Sequence, residues 1–411
     1  MSSWTISNAQ VFQNGKLTET DIKLEGNQIH SLTKPSPVSN PERGPQVYDF
    51  KNKKVYPGFF NSHDHLLASY LPKIGGTTKH ASWLAYDNLY KSSGVFAERQ
   101  QLDSELLYYL GAYKNLLAGV TSVHDHIPHS IQKPFIDILP IKLLSEYTLA
   151  HSIGNYSLSW GEGAALEYRL AEASNIPFVT HLGEGLDEDS LGSLKKLEKM
   201  DALGPHSVLI HCLPFGPREV EKIAKANATV VWCPGSNLHI FGKTTNIKLF
   251  MDAGVNVCLG TDFSPSSSLN ILEELKLAKS LFQDLYEEEL PESTLLKWVT
   301  ENPAQAFRKS KLGSIKEGQI ADLVVMDDGT NSSEISVSQL AWENVDLVVL
   351  EGMPIYGSSR YKKLFSELGI ESELISVKGS EKIVAGSPKT LLDQVSSSVG
   401  YKKDLAFLPI L

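Results

Sequence analysis

From Val55 to about Ala304, short apolar runs alternate with amphipathic stretches, and no other feature of the chain narrows its fold as much. Ser207-Val208-Leu209-Ile210 reads as a buried strand, and Arg218 to Ala226 behind it carries helical spacing. Ala228 to Trp232, a helical stretch near Ile247 to Ala253, and Val255 to Leu259 repeat the pattern. Successive βα units of this kind build a parallel sheet covered by helices. A long helix is predicted near Leu269 to Leu285, and another from about Glu292 through Asn302-Pro303-Ala304.

The flanks have a different texture. Trp4-Thr5-Ile6 and Asp21 to Leu24 read as strands, with turns or loops at Gly15, Gly26-Asn27 and Lys34 to Pro45. Strand texture returns at Ile320 to Met326 and Val345 to Leu350, and Lys389 to Val395 reads as a helix. A barrel takes about 250 residues, and the chain has 411. The expected architecture is therefore a (β/α)8 TIM barrel over residues 55–312. A smaller composite β-sandwich domain would be built from residues 1–54 and 313–411.

Composition excludes several classes. The formal net charge of -10 repels phosphate backbones and argues against nucleic-acid binding. No basic segment followed by an apolar run opens the chain, and no window approaches the ~18 apolar residues of a membrane span. Cys212, Cys233 and Cys258 form no C-x-x-C pair and sit in or beside apolar runs, as buried reduced thiols do. These features predict a cytoplasmic protein and leave open a small substrate of either sign.

The chemistry is written at the strand ends. Val55 to Asn61 runs into Ser62-His63-Asp64-His65, Ile176 to Thr180 into His181-Leu182-Gly183-Glu184, Val208 to Ile210 into His211, and Val257 to Thr261 into Asp262. In a barrel the C-terminal strand ends converge on one face, where active sites form. His63 and His65, two apart on a strand, point the same way and make half a site for a divalent cation. Alone, an H-x-H pair is weak. Four polar strand ends buried together need a partner.

As a set, these segments resemble the amidohydrolase superfamily, in its cytosine deaminase and chlorohydrolase branch. Pro57 to His65 is similar to that family's first barrel strand, Gly119-Val120-Thr121-Ser122-Val123 to its second and His181-Leu182-Gly183-Glu184 to the H-x-x-E of its fifth. His211 fits the sixth strand, Cys233 to Leu238 the loop after the seventh, and Leu259-Gly260-Thr261-Asp262 the eighth. Asn302-Pro303-Ala304 and Gly313 to Leu323 resemble its exit into the β domain. The resemblance implies His63, His65, His181 and Asp262 as ligands of one divalent metal ion, zinc or alternatively iron. It implies Asp262 as the base toward water, His211 as a donor to the nucleophile or developing oxyanion, and Glu184 as the proton carrier to a heterocycle. It also implies a homo-oligomer.

The implied activity is hydrolytic deamination of a small nitrogen heterocycle. The rivals are opening of a cyclic amide, as in imidazolone-ring hydrolysis, cleavage of a C–Cl bond, or a metal-free scaffold. Two departures stand out: Trp232 occupies a position where many relatives carry histidine, and strands three and four are hard to place. Lys142 reads as a snorkelling surface lysine rather than a metal bridge, which favours one metal over two. Substrate contacts are expected from Trp83 and Tyr86 after strand one, from His126 of His124-Asp125-His126, and from Ser236, Asn237 and His239. For His126 and His239, a purely structural place fits the sequence as well. Because Glu184 lies three residues after His181, the chain must bend between them for both to face the pocket, and Gly183 can supply the bend.

Overall fold

A computed structural model describes residues 3–35 and 46–410; the loop read over Lys34 to Pro45 lies almost wholly outside them, as do Met1 and Ser2. Eight short strands run parallel in two sheets. Phe59–Asp64, Val120–Asp125 and Lys142–Leu143 make one, and Thr148–Ser152, Phe178–Leu182, Ser207–His211, Thr229–Trp232 and Asn256–Leu259 make the other. They are referred to below as the first to eighth strands. A parallel bridge between Asp64 and Asp262 joins the first strand to the end of the eighth, and the Asp262 N–H donates to the His63 carbonyl at 2.8 Å. No pairing joins the third and fourth strands among the described residues. The result is an α/β protein with helices between successive strands, except between the third and fourth, which four residues connect.

Local chemistry explains the helices. Asp103, Asp187 and Asn270 accept backbone N–H bonds as N-caps of Ser104–Leu116, Glu188–Lys199 and Ile271–Tyr286. Each cap satisfies amides that the first helical turn leaves open. The helix expected from Glu292 onward is two, Glu292–Trp298 and Glu301–Ala306. Pro303 has no N–H to continue the earlier ladder, but it fits the first turn of a new helix.

The run read as one strand from Val55 to Asn61 is also two. Lys54–Pro57 pairs with Ser3–Gln13 and Leu323–Met326, whereas Phe59–Asp64 pairs with the second strand. Gly58 between them packs so tightly on Thr121 that a Cβ would lie 2.3 Å from its Oγ1. Lys142 is not a free surface lysine. Its Nζ lies 2.6 Å from Asp322 and 3.2 Å from Glu351, tying the third strand to the chain's exit from the α/β region.

The second large element is a ten-stranded sheet drawn from both ends of the chain. Its order is Ser372–Val377, Ser380–Ala385, Met353–Ser358, Val345–Leu350, Leu323–Met326, Lys54–Pro57, Ser3–Gln13, Lys16–Glu25 and Gln28–Thr33, with Val47–Asp49 also on Ser3–Gln13. The Trp4 indole donates to the Gly352 carbonyl at 2.8 Å. The hairpin Ser372–Val377 and Ser380–Ala385 and the helix Pro388–Val399 organise the last part of the chain. All three cysteines are buried and free. No helix among the described residues is long and apolar enough to cross a membrane.

Candidate metal centre and its pocket

The polar strand ends meet. One ligand atom each from His63, His181, His211 and Asp262 lies within 4.8 Å of the others, and all four residues are buried. His63 Nε2 is 3.0 Å from Asp262 Oδ1 and 3.2 Å from His181 Nε2. His65 follows the last residue of the first strand, and its Nε2 reaches Asp262 Oδ1 at 3.4 Å. His65 thus stands at the pocket side of the cluster, while His211 completes its tightest mutual set.

The backbone that aims these groups is strained. His211 has φ 73° and Asp262 φ 67°, left-handed values that cost of order 1–3 kcal/mol each for residues other than glycine. The bend expected after His181 is present: the fifth strand ends at Leu182, and Gly183 takes φ 63°. Glu184 then turns back toward the cluster, with Oε1 3.6 Å from His211 Nε2, which is itself 3.9 Å from Asp262 Oδ2.

Burial separates the protonation states. It pushes the His63 imidazolium down to about 4 and those of His181 and His211 below the ordinary range, which favours the neutral rings, each with one donor and one acceptor nitrogen. For His65 burial is outweighed by the hydrogen bond and charge of Asp262, and its pKa rises. Asp262 is ionised despite burial, because His63 and His65 hydrogen-bond its carboxylate. Burial, then the charges of Asp262 and Asp87, hold Glu184 well above the carboxylate range. The two carboxyls are thus pushed in opposite directions, Glu184 up and Asp262 down, the kind of split that acid–base catalysis uses. His211 Nε2 is buried without a hydrogen-bond partner. Neutral imidazoles, one carboxylate and an orphaned ring nitrogen fit a divalent cation of the zinc type.

Behind the centre lies a buried ionic clamp. Asp64 points away from His63 and His65, and its Oδ1 is 2.9 Å from Lys114 Nζ. Its Oδ2 accepts from Asn115 at 2.9 Å and Asn61 at 3.1 Å, and Asn61 bonds Thr261 beside Asp262. A second-layer tie also fixes His181, whose Nδ1 meets the His151 carbonyl at 2.6 Å.

The pocket above encloses about 190 Å³. Its walls are His65, His181, Glu184 and Asp262 on the chemical side, and Trp83, Tyr86, Tyr90, Leu158, Trp160, Ile240 and Phe263 on the apolar side. Asp87, Lys91 and His151 supply further polar groups. Of the expected substrate contacts, Trp83 and Tyr86 line it, but four others do not. His126 is fully buried behind, with Nε2 3.2 Å from the His151 carbonyl. Ser236 bonds Ser266, Asn237 bonds His211, and His239 Nε2–H donates to the Ile74 carbonyl at 2.7 Å. The short helix Pro234–Phe241 turns these three groups into supports rather than walls. Trp232 likewise faces the core, bonding Thr244 and packing edge-on against Trp298.

His151, Asp87, Lys91, Tyr90 and Trp160 were not anticipated from sequence. His151 is the second-last residue of the fourth strand, as His181 is of the fifth, so the strand-end rule that points to His181 points to it once that strand is placed.

Residues 164–355 match the model of the amidohydrolase family. The chain is 34% identical over 335 residues to the 5-methylthioadenosine/S-adenosylhomocysteine deaminase of Pyrococcus furiosus, covering 68% of this chain and 76% of that one. Two solved structures share the fold. The adenosine deaminase of Xanthomonas campestris with bound zinc has a TM-score of 0.74 at 16% identity, covering 96% of this chain and 97% of its own. The atrazine chlorohydrolase of Arthrobacter aurescens TC1 complexed with zinc has a TM-score of 0.71 at 16% identity, covering 96% and 99%. The chain belongs to the amidohydrolase family and is a hydrolase of carbon–nitrogen bonds other than peptide bonds.

Proposed function

We propose that the chain is a zinc-dependent hydrolytic deaminase of an amino-substituted nitrogen heterocycle, of the adenine-nucleoside type. Its eight parallel strands, beginning with Phe59–Asp64, are read as a closed (β/α)8 barrel that ends near residue 312. The chain before Gly58 and residues 313–411 then form the composite β domain, whose sheet includes Lys54–Pro57. One zinc ion would be held by His63, His65, His181 and Asp262. When bound, it supplies Lewis acidity and a water made nucleophilic near neutral pH.

The protein's own groups then divide the work. Asp262, ionised, takes a proton from the attacking water. Glu184, held protonated, gives its proton to the ring nitrogen next to the amino-bearing carbon, which makes that carbon electrophilic. His211 donates to the oxygen as negative charge develops there. A proton passed back through Glu184 to the amine lets the C–N bond break, and the products are ammonia and the ring carbonyl. Trp83, Trp160 and Phe263 offer faces for a planar ring.

The observation that carries this reading is geometric: the half-buried Glu184 carboxyl, its pKa pushed up by burial, lies 3.6 Å from His211 Nε2, which lies 3.9 Å from Asp262. The named activities of the Pyrococcus and Xanthomonas proteins support it. The test is a panel of adenosine, 5-methylthioadenosine, free purines and pyrimidines, chlorotriazines and N-acyl compounds, scored for ammonia. Ammonia from an aminopurine nucleoside is expected. Ring opening or chloride release without ammonia would transfer the same machinery to one of its rivals.

A further inference from the structure

The second H-x-H pair, His124 and His126, plays no part in that mechanism, yet it lies against it. One ring nitrogen each from His63, His124 and His126 falls within 4.8 Å of the others, and all three residues are fully buried. Four nitrogens here have no hydrogen-bond partner: His63 Nδ1, both of His124, and His126 Nδ1. A buried polar group left unpaired costs about 1–3 kcal/mol, and folded proteins leave few of them. Asp125 between the two histidines does not help, since its carboxylate takes the Leu66 N–H and the Tyr108 hydroxyl.

We infer that His124 is a positioning residue for the metal centre, accepting the Nδ1–H of His63 through one bridging water held also by His126. The inference goes beyond the proposed function but rests on its reading of His63 as a ligand. His63 Nε2 is turned to Asp262 and His181. A neutral imidazole that uses Nε2 as a lone pair carries its proton on Nδ1, and that proton needs an acceptor. The outer hydrogen bond of a metal-binding histidine sets its orientation and basicity. Two hydrogen bonds of about 2.9 Å meeting at a tetrahedral oxygen span about 4.7 Å, a reach compatible with one ring nitrogen from each histidine lying within 4.8 Å of the others.

The His124 ring is held for the task, stacked on Phe307 at 5.1 Å and edge-on to Tyr147 at 4.7 Å. A second metal ion fits the same three rings less well. It would have to displace the His63 proton, and the trio contains no carboxylate to offset a second dication so close to the first.

The experiment compares the wild-type protein with His124→Phe, which keeps the ring's bulk, and His124→Gln, which restores polar atoms. Zinc affinity is measured by chelator competition, with melting of the metal-free proteins as the folding control. Affinity should fall roughly 10–100-fold in His124→Phe and largely recover in His124→Gln, with the metal-free melting temperatures alike. In the cobalt-substituted wild type, proton NMR should show a hyperfine-shifted, exchangeable N–H from His63 that His124→Phe loses. Unchanged affinity in His124→Phe, or equal loss in His124→Gln, overturns the positioning role while leaving the proposed function intact. A second equivalent of cobalt abolished by His124→Phe or His126→Gln overturns it in favour of a second metal. A wild-type protein that binds no metal overturns both readings together.

Discussion

The strand-end cluster and the apolar pocket wall face each other across one cavity, but they are built in opposite ways. The cluster stands on parallel strands, its backbone strained at His211 and Asp262 and braced from behind by Asp64 and Lys114. The wall comes from several connections, and three of its seven residues, Trp83, Tyr86 and Tyr90, stand on the helix Trp83–Lys91 after the first strand, which buries only Tyr86. Groups that make and break bonds must be held to within fractions of an ångström, so they sit on rigid elements. Groups that choose the substrate sit on loops, which can change without disturbing the scaffold. Substitutions in the two regions should therefore fail differently.

The largest effect is expected where a ligand is lost. His63→Ala or Asp262→Ala should leave purified protein with little of the roughly one zinc per chain held by the wild type, as metal analysis would show. Full metal content in both variants would falsify the ligand set. Next comes Glu184→Gln, which should keep its metal and lower kcat by about 10²–10⁴-fold. Loss of metal instead would make Glu184 a ligand.

Lys114→Met tests the brace. It strands the Asp64 carboxylate in the interior, and breaking a buried pair this way typically costs about 3–5 kcal/mol. A denaturant titration should register that loss; an unchanged midpoint would mean the brace is dispensable. On the wall, Trp83→Ala should raise KM roughly tenfold, about 1.4 kcal/mol, with kcat nearly unchanged. A large fall in kcat with constant KM would erase the distinction between the two regions.

The smallest effect belongs to neither region. Glu98, in the connection after the first strand, meets Lys403 at 2.6 Å and Tyr401 at 2.7 Å and also bonds Tyr70. Slight burial raises its pKa, but these bonds outweigh it and lower the value to about 2 from 4.5. A carboxyl depressed by folding contributes stability above its unfolded pKa and loses it as pH falls toward the folded one. Melting temperature should thus drop between about pH 4.5 and 2 more steeply in the wild type than in Glu98→Gln. Parallel profiles would discount this contact.

Legibility followed the same division. His63, His181, His211 and Asp262 end runs long enough to read as strands, so their convergence is legible in the sequence. The bend at Gly183 was visible too, because period-two geometry leaves no other way to bring Glu184 round. The third strand is only Lys142–Leu143, too short for periodicity to register, and the fourth strand with His151 was lost with it. Ser236, Asn237 and His239 were misplaced because a helix of eight residues there turns them away from the cavity. Asp87 and Tyr90 lie on a helix whose pocket-facing side carries no pattern that separates it from an ordinary amphipathic surface.

The mixed sheet has a consequence in time. Lys54–Pro57 finds its neighbour Leu323–Met326 only after more than 260 further residues have been made. At about 5–20 residues per second, that is a wait of roughly 13–50 s. Until then one edge of an apolar strand is open to any other extended chain nearby. The nascent protein must either keep its opening strands from pairing elsewhere or have them shielded by a chaperone, so its yield in the cell should depend on the pace of translation across the middle of the chain.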